Sequence, residues 1–268
     1  MILIIGGSAF NCREFLLNYK ENIVIIQHSN KSKVEKENLI YYENTKEFLK
    51  SKNRKEVKII FNFASSVNTR NNFVNNFLSS YFQLVKMYFL LRKNKIDLIL
   101  NIGSMWQDIS KYKFKSYIIV KNLTDWFFLK FVKKCKYISI KLGDTYGIND
   151  KRNKLVKILK SQLNNYFLSL SGNEENLVFP IHTKTLSMHL IYLSYNYEMF
   201  KNSQISIIRG YPEALTLKEF VNIFAKTHNF YNEISFGDNV GIRSLDLNPK
   251  SDFCFIIKEN LNNTLKLI

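Results

Sequence analysis

Cysteine is scarce in this chain of 268 residues, which contains only three. Cys12, Cys135 and Cys254 lie far apart, and no two of them form a Cys-x-x-Cys pair or another metal-ligand spacing. The histidines likewise show no spacing that suits a metal ion. We therefore expect free thiols, a reducing compartment and no bound metal.

The sequence also lacks an apolar run long enough to span a membrane. The apolar run at residues 1–5 has no basic start and stops at Gly6 and Gly7, which predicts a strand rather than a signal peptide. We expect a cytoplasmic protein that has no membrane partner.

Acidic residues are few relative to basic ones, and the formal net charge is +17. The lysines are spread along the whole chain, and no nucleic-acid recognition motif accompanies them. We therefore expect no nucleic-acid partner. The excess of positive charge is typical of a compositional bias and favours an anionic substrate.

Six short apolar runs alternate with stretches of helical spacing, and each run predicts a strand. The runs are residues 2–5, 23–26, 39–42, 57–63, 96–102 and 137–142. Hydrophobic residues make up 46% of the chain, enough for a large core. This alternation predicts an α/β fold built on a doubly wound parallel sheet with right-handed crossovers.

A glycine-containing turn follows the first strand and precedes a helical stretch at residues 13–19. Such a turn brings backbone N–H groups to a helix N-terminus, where a pyrophosphate binds. Gly6 holds the first place of a G-x-x-G-x-x-G spacing, but Ala9 and Cys12 take the other two, so an ordinary strand-turn-helix fits as well. The residues expected at a cofactor here are Gly6, Ser8, Ala9, Phe10 and Asn11.

The second strand ends in a segment, residues 27–31, that contains no acidic side chain. An acid at this place meets the free ribose 2′-hydroxyl of NADH, whereas hydroxyls and cations suit the 2′-phosphate of NADPH. We therefore expect NADPH, with NADH or NAD as the alternative. The residues expected near the phosphate are Ser29, Asn30 and Lys31.

A hydroxyl followed by a Tyr and Lys pair lies in the middle of the chain. Ser104 comes just after the fifth strand, and Tyr117 and Lys121 are four residues apart, on one face of a predicted helix. An ammonium near the phenol favours the phenolate, so we expect the pKa of Tyr117 to lie below its usual value of about 10. Such a tyrosine passes a proton near neutral pH, while Ser104 holds a carbonyl against it. On spacing alone, a lysine that snorkels beside a surface aromatic is the commoner arrangement.

Two further segments border this candidate site. Small residues follow Phe63 at the end of the fourth strand and leave room for a ligand at the carboxyl edge of the sheet. The long helix predicted at residues 73–91 is mostly core, but Asn76 near its start is a candidate for a buried amide that faces Tyr117 and Lys121.

Taken together, these segments resemble the extended short-chain dehydrogenases/reductases, a superfamily of nucleotide-sugar epimerases, dehydratases and reductases. The resemblance spans roughly residues 1–247 and rests on the glycine turn, Phe63-Ala64-Ser65, Asn76, Ser104, Tyr117 with Lys121, and Lys141-Leu142-Gly143-Asp144-Thr145-Tyr146-Gly147. Residues 101–107 and 141–150, with Lys154-Leu155, are most similar to the CDP-abequose and CDP-paratose synthase group. That group reduces the C4 ketone of a CDP-4-keto-3,6-dideoxyhexose with NADPH, for O-antigen or capsule sugars.

The resemblance implies a Rossmann-type dinucleotide-binding domain at residues 1–149, to which some later segments return. It also implies a small C-terminal α+β substrate lobe at residues 150–268. Within this lobe, a helix is predicted at residues 217–227, with Thr216 as its N-cap and Glu219 three residues on. The implied partners are a nucleotide-sugar substrate and a second copy of the chain, as a homodimer.

By position, the resemblance places Ser104 at the keto oxygen, Tyr117 as its proton donor and Lys121 at the nicotinamide ribose. The residues that it places at the cofactor are Phe63, Ala64, Ser65 and Leu142. The residues that it places at the substrate are Ser66, Asn76, Met105, Asp144, Lys154 and Arg243, the last of them at the pyrophosphate.

The sequence also departs from the family pattern. Besides Ala9 and Cys12, residues 176–182 lack the Arg-Asp-Phe and paired-acid pattern of the family. Two alternatives therefore stay open: a nucleotide-sugar 4-epimerase with tightly bound NAD, and a regulatory protein that binds the cofactor but has lost catalysis. The presence of Ser104, Tyr117 and Lys121 together favours an enzyme.

Overall fold

A computed structural model describes most of the chain. The described residues are 1–27, 33–64, 73–109, 115–152, 154–200, 204–209, 215–230, 233–239, 241, 253–256 and 260–268. Side chains are described for all of these except residues 76, 204–209 and 253–256.

Fourteen strands lie within the described residues. They are β1 (Ile2–Ile5), β2 (Ile23–Ile26), β3 (Leu39–Tyr42), β4 (Ile59–Asn62), β5 (Leu98–Ser104), β6 (Lys136–Leu142), β7 (Asp144–Tyr146), β8 (Phe167–Gly172), β9 (Leu177–Val178), β10 (Pro180–His182), β11 (Gln204–Arg209), β12 (Leu215–Thr216), β13 (Glu233–Asn239) and β14 (Phe253–Ile256).

The helices of the same residues alternate with the strands in the first half of the chain. They are α1 (Phe10–Asn18), α2 (Thr45–Lys50), α3 (Phe73–Asn76), α4 (Gln83–Leu91), α5 (Ser116–Phe131), α6 (Leu155–Ser161), α7 (Thr183–Asn196), α8 (Leu217–Thr227) and α9 (Leu261–Leu265). A π-helical turn at Phe77–Phe82 joins α3 to α4, and short 3₁₀ turns lie at Lys52–Glu56, Arg92–Asn94, Met105–Asp108 and Tyr197–Met199.

Eight of the described strands form one sheet in the order β14-β11-β6-β5-β4-β1-β2-β3. Every neighbouring pair in it is parallel. Its central strands are buried on both faces, as expected for a parallel sheet that is covered by helices. The fold is a Rossmann-type doubly wound α/β fold, and this prediction is confirmed.

Alternate side chains of the strands feed two core layers. On one face, Ile2 and Ile4 belong to a cluster that includes Phe15 of α1 and Leu190 of α7. On the other face, a second cluster contains buried residues of β1, β4 and β5 together with residues of α4 and α5, among them Leu84, Met87 and Phe128. Residues of both clusters are almost completely buried, and this burial fixes the sheet between α1 and α7 on one side and α4 and α5 on the other.

The sheet contains two strands beyond the six predicted. β11 pairs with β6, and β14 pairs with β11, so the chain returns to the sheet twice after residue 150. The other six strands lie where the apolar runs predict them, with ends shifted by no more than two residues.

A third hydrophobic cluster lies outside the sheet. It joins α6, α8 and α9 to β8, with Leu168, Phe220 and Phe224 among its buried members. Helix α8 begins as predicted, because Thr216 accepts from the Glu219 backbone N–H and the Glu219 carboxylate accepts from the Thr216 N–H.

The helix predicted at residues 73–91 is present, but its middle is a π-helical turn. This turn binds the helix to the end of β4. The Ser80 carbonyl accepts from Asn62 Nδ2 at 3.4 Å, and the Ser80 hydroxyl donates to the Ala64 carbonyl at 2.8 Å. A π-turn frees backbone carbonyls for such contacts, which helical periodicity in the sequence does not reveal.

Across the described residues, no helix combines the length and the apolar character that a bilayer crossing requires.

Candidate functional site

The carboxyl ends of four neighbouring strands, β1, β4, β5 and β6, meet at one cavity of about 460 Å³. This is the edge at which ligands bind in open parallel sheets. The lining residues are Gly6, Ser8, Ala9, Phe10, Asn11, Phe63, Ala64, Ile102, Gly103, Ser104, Trp106, Tyr117, Lys121, Leu142, Gly143, Asp144, Thr145, Arg152 and Lys154.

The turn between β1 and α1 forms one end of this cavity. Gly6 has φ +81°, and a Cβ there would lie 2.6 Å from the Ala64 backbone nitrogen, so only glycine fits. Helix α1 starts after Ala9, and within the described part of the chain no side chain caps its N-terminus. The first-turn N–H groups of the helix therefore form a suitable site for a phosphate group.

Asn11 adds a side chain to this end of the cavity. Its Oδ1 atom is buried and has no hydrogen-bond partner among the described residues. A buried polar atom without a partner is costly, so this amide is suited to a bound polar group. Cys12, at the third glycine place, is a completely buried residue of α1, and burial raises the pKa of its thiol.

Ser104 is fixed at the other end of the cavity by its backbone. It caps the 3₁₀ turn Met105–Asp108, where its Oγ accepts from the Trp106 N–H at 3.3 Å. The Ser104 N–H donates to Gln107 Oε1 at 2.8 Å. These two contacts hold the hydroxyl at the end of β5, against the cavity.

Tyr117 stands beside Ser104, in the first turn of α5, and its pKa is raised to about 12 rather than lowered. Burial is the main cause, because it penalises the phenolate, and the neighbouring Ser104 hydroxyl offsets part of it. The prediction of a lowered pKa is therefore wrong for the chain without ligands. The phenol carries its proton at neutral pH.

Lys121 does not lower the pKa of Tyr117 as predicted, because its ammonium contacts a backbone carbonyl instead. Its side chain is only 2% exposed, and its Nζ donates to the Ile102 carbonyl at 2.5 Å. Nζ lies 5.7 Å from the centroid of the Tyr117 ring. Burial lowers the pKa of Lys121 itself to about 8, and Asp125 partly counteracts this effect.

The structure brings most of the other predicted site residues to the same cavity. Asp144 and Lys154 lie on its wall with the cofactor candidates Phe63, Ala64 and Leu142. Asp144 also contacts the residue between β9 and β10, because its Oδ2 accepts from the Phe179 N–H at 3.1 Å.

Met105 is placed differently from the prediction. It is 2% exposed, and a Cβ on Gly143 would lie 3.3 Å from its sulfur, so it packs beneath the cavity. The next residue, Trp106, lines the cavity instead. The side chain of Asn76 lies outside the described part of the chain, as do Ser29, Asn30, Lys31, Ser65, Ser66 and Arg243.

Arg152 is a site residue that the sequence analysis missed. Its guanidinium lies 4.2 Å from the centroid of the Phe10 ring. It also donates to both carboxylate oxygens of Asp150, at 2.8 and 2.7 Å, and to Thr145. The contact joins the glycine turn to the segment after β7. In the sequence, the only local indication of this role of Arg152 is the Asp-x-Arg spacing just after Tyr146-Gly147.

A buried polar network lies directly behind the catalytic candidates. Asn62 of β4 donates to Asn101 of β5 at 2.9 Å, and Asn101 donates to Asp125 of α5 at 3.4 Å. Asp125 also accepts from Tyr137 at 2.6 Å and from Gln107 at 2.8 Å. The network joins the strands that carry the site to helix α5.

Among the described residues, no three His, Cys, Asp or Glu side chains come close enough to hold a metal ion. Cys12 and Cys135 are buried free thiols.

No family model matches the sequence. No curated protein matches it either. Solved structures do resemble it. The UDP-N-acetylglucosamine 4-epimerase from Bacillus cereus has a TM-score of 0.76 and 14% identity, over 99% of this chain and 93% of that one.

Two further structures are similar over 99% of this chain. The UDP-N-acetylglucosamine 4-epimerase from Methanobrevibacter ruminantium M1, in complex with UDP-N-acetylmuramic acid, has a TM-score of 0.75, 12% identity and 96% coverage of its own chain. The dTDP-glucose 4,6-dehydratase from Bacillus anthracis str. Ames, in complex with NAD, has a TM-score of 0.72, 15% identity and 95% coverage. The chain thus has the fold of nucleotide-sugar epimerases and dehydratases.

Proposed function

We propose that the chain is an NADPH-dependent reductase of a nucleotide-activated 4-keto-(di)deoxy sugar, of the kind that supplies O-antigen or capsule sugars. One observation carries the proposal. A single cavity joins the glycine turn at Gly6 to a serine, a tyrosine and a lysine, Ser104, Tyr117 and Lys121. Carbonyl reduction needs the cofactor-binding turn and the three side chains close enough to act on one substrate.

The glycine turn fits a nicotinamide dinucleotide. The close approach at Gly6 and the start of α1 suit the pyrophosphate. The buried Asn11 Oδ1 can accept from a hydroxyl of the cofactor. When bound, the cofactor supplies a hydride to the carbonyl carbon of the substrate. The preference for NADPH over NADH rests on the absence of an acid at residues 27–31.

The side chains of the site supply the proton and hold the oxygen. The Tyr117 O–H bond breaks as its proton passes to the carbonyl oxygen, which becomes a hydroxyl. The Ser104 hydroxyl donates a hydrogen bond to that oxygen as negative charge develops on it. Lys121 offsets the charge of the phenolate that remains and holds the nicotinamide ribose. The Tyr117 phenol is protonated at neutral pH, so its proton is available to the carbonyl oxygen.

Two basic residues of the cavity suit an anionic substrate. Lys154 and Arg152, the latter paired with Asp150, line the cavity, and the chain as a whole carries an excess of positive charge. We propose that these cations, together with Arg243, face the diphosphate of a nucleotide sugar, and that residues 150–268 form the substrate lobe.

A 4-epimerase is the second candidate. Two of the similar structures are UDP-N-acetylglucosamine 4-epimerases, and the same serine and tyrosine geometry suits a reversible oxidation at C4. An epimerase of this kind keeps its NAD bound and consumes none. The absorbance spectrum of the purified protein separates the two candidates, since the epimerase retains a nicotinamide band.

We also propose a homodimer, formed through the outer faces of α4 and α5. Large apolar side chains are exposed there, among them Phe89 (47%), Trp126 (49%) and Phe131 (57%). Contiguous exposed aromatic residues of this kind mark protein interfaces.

The proposed activity is tested by NADPH oxidation. The purified chain is mixed with NADPH and with CDP-, GDP-, dTDP- or UDP-linked 4-keto-6-deoxy sugars, each made in situ by its dehydratase. Loss of NADPH absorbance in one nucleotide series, absent without the dehydratase, is the expected result. No oxidation in any series, by protein that still binds NADPH, contradicts the reductase proposal.

A further inference from the structure

We propose that Asp125 is a positioning residue that keeps Lys121 charged and Ser104 in place, through one buried network behind the cavity. This inference rests on the proposed function, because it assigns a task to Asp125 in the same proton transfer. Asp125 does not line the cavity, so it acts only through its neighbours.

Asp125 is a buried carboxylate with an unusual set of partners. Only 5% of the residue is exposed. Its Oδ1 accepts from the Tyr137 hydroxyl at 2.6 Å, and its Oδ2 accepts from Gln107 Nε2 at 2.8 Å. A buried carboxylate is stable only when donors surround it in this way.

Gln107 carries the effect of Asp125 to Ser104. Its Nε2 donates to Asp125 and, at 3.0 Å, to Asn122 Oδ1. Two acceptors at Nε2 fix the direction of the amide, so Oε1 points to the Ser104 N–H, from which it accepts at 2.8 Å. Asp125 thus determines which end of Gln107 meets the strand that carries the catalytic hydroxyl.

The second effect of Asp125 is electrostatic. Lys121 lies one helical turn before it on α5. The Lys121 ammonium is buried between Tyr117 of the same helix and the Ile102 carbonyl of β5.

Asp108 and Lys141 form a separate buried ion pair at 2.5 Å, whose two charges compensate each other. Asp125 is therefore the carboxylate that stabilises the ammonium. Burial lowers the pKa of Lys121 to about 8, and Asp125 raises it. Without this charge, the lysine would lose its proton closer to neutral pH.

The test compares the wild type with Asp125→Asn, which keeps the shape but removes the charge. The control is Asn122→Ala, which removes a Gln107 contact and leaves the charge. The pH profile of kcat is the first readout. We expect the alkaline limb of Asp125→Asn to move down by about one pH unit or more, whereas that of Asn122→Ala stays in place. A kcat that falls equally at every pH would show that Asp125 only holds Gln107 and Ser104 in place, and would overturn the inference that it keeps Lys121 charged.

The second readout does not depend on activity. The Cε resonances of ¹³C-labelled lysine are titrated by NMR, and the Lys121 signal is assigned by its loss in Lys121→Arg. The Lys121 titration is expected to shift down by about one unit or more in Asp125→Asn. An unchanged titration overturns the inference. If Asp125→Asn does not fold, Asp125→Ser takes its place. If the wild type reduces no substrate, the proposed function fails, and the NMR titration still tests the inference.

Discussion

Tyr117 and Lys121 share a helix face but do not form a simple charge pair. The ammonium is directed to the Ile102 carbonyl, and burial dominates the pKa of both groups. The phenol is therefore a proton donor in the resting protein rather than a partly ionised base. A protonated phenol is the form that the proposed reduction of a ketone requires.

The first prediction concerns Tyr117→Phe. This variant loses only the hydroxyl, so we expect kcat to fall by about three orders of magnitude or more while NADPH affinity changes little. Steady-state kinetics and a fluorescence titration with NADPH measure the two effects. Tyr166→Phe, at an exposed tyrosine outside the cavity, is the control. Turnover in Tyr117→Phe at the wild-type rate would remove Tyr117 from the mechanism.

For individual residues, the sequence predicts which side chains lie together but not how deeply they are buried. Ser104, Tyr117 and Lys121 come together because a strand end and an i, i+4 pair are local features. The sign of the Tyr117 pKa shift depends on burial by distant segments, and local spacing does not contain it. Trp106 rather than Met105 lines the cavity, and this depends on how the 3₁₀ turn starts.

The turn between β1 and α1 is the element on which cofactor binding depends. It has lost two of three glycines, yet Gly6 keeps the left-handed backbone and the close approach to Ala64. The backbone geometry therefore requires glycine at the first place of the motif. The second place accepts Ala9, whose backbone angles are extended.

We predict that Gly6→Ala weakens NADPH binding at least tenfold and lowers the free energy of unfolding by about 1 to 3 kcal/mol. The cause is the unfavourable φ together with the contact at 2.6 Å. Calorimetric titration with NADPH and urea unfolding measure the two effects. Ala9→Gly is the matched control, and we expect it to bind NADPH as well as the wild type. Equal affinity in Gly6→Ala would contradict the placement of the pyrophosphate at this turn.

Helix α7 supplies a pH-dependent element of stability. His189 is completely buried on it, and burial lowers the pKa of the imidazole from 6.5 to about 3. Below about pH 6.5 the unfolded chain binds a proton that the folded chain does not, so stability falls as the pH falls.

We predict that His189 contributes about 2 kcal/mol to the loss of unfolding free energy between about pH 7 and pH 5. Urea unfolding at both pH values, for the wild type and His189→Gln, measures this contribution. The loss is expected to be smaller in His189→Gln by that amount. The same loss in both proteins would show that His189 does not titrate on unfolding.

The elements differ in how well the sequence predicts them. Strands β1 to β6 are continuous apolar runs, and α8 has a complete capping box, so both are apparent from local patterns. β11 and β14 come after residue 150, where no strand of the sheet was predicted, and only the pairing of β11 with β6 and of β14 with β11 places them in the sheet. The π-turn depends on contacts with Asn62 and Ala64.

At the scale of the molecule, one surface exposes more large apolar side chains than is usual for a surface that faces only solvent. Phe89, Phe127, Phe131 and Trp126 form a chain of ring contacts with centroids 5.1 to 6.4 Å apart. The chain of rings crosses from α4 to α5, where the proposed second copy packs.

We predict that Phe89→Ser combined with Phe131→Ser converts the dimer to a monomer. Both rings are exposed on the proposed interface, so each serine removes apolar area that the second copy would bury. Light scattering after size exclusion gives the mass. Tyr166→Ser is the control, since Tyr166 is 93% exposed and lies away from α4 and α5. A monomeric wild type would contradict the proposed interface.

The overall arrangement is also what the sequence predicts best, because a parallel sheet must place its strand ends, and thus the site, at one edge. The substrate depends instead on the side chains that line the far part of the cavity.

The most direct test of the account is the transfer of deuterium from NADPH that is labelled at C4 of the nicotinamide. The product is analysed by mass spectrometry and NMR after reaction with the nucleotide 4-keto sugar that gives oxidation. We predict one deuterium at the former carbonyl carbon with the wild type and none above background with Tyr117→Phe. A product without deuterium, formed at the wild-type rate, would contradict carbonyl reduction at this site.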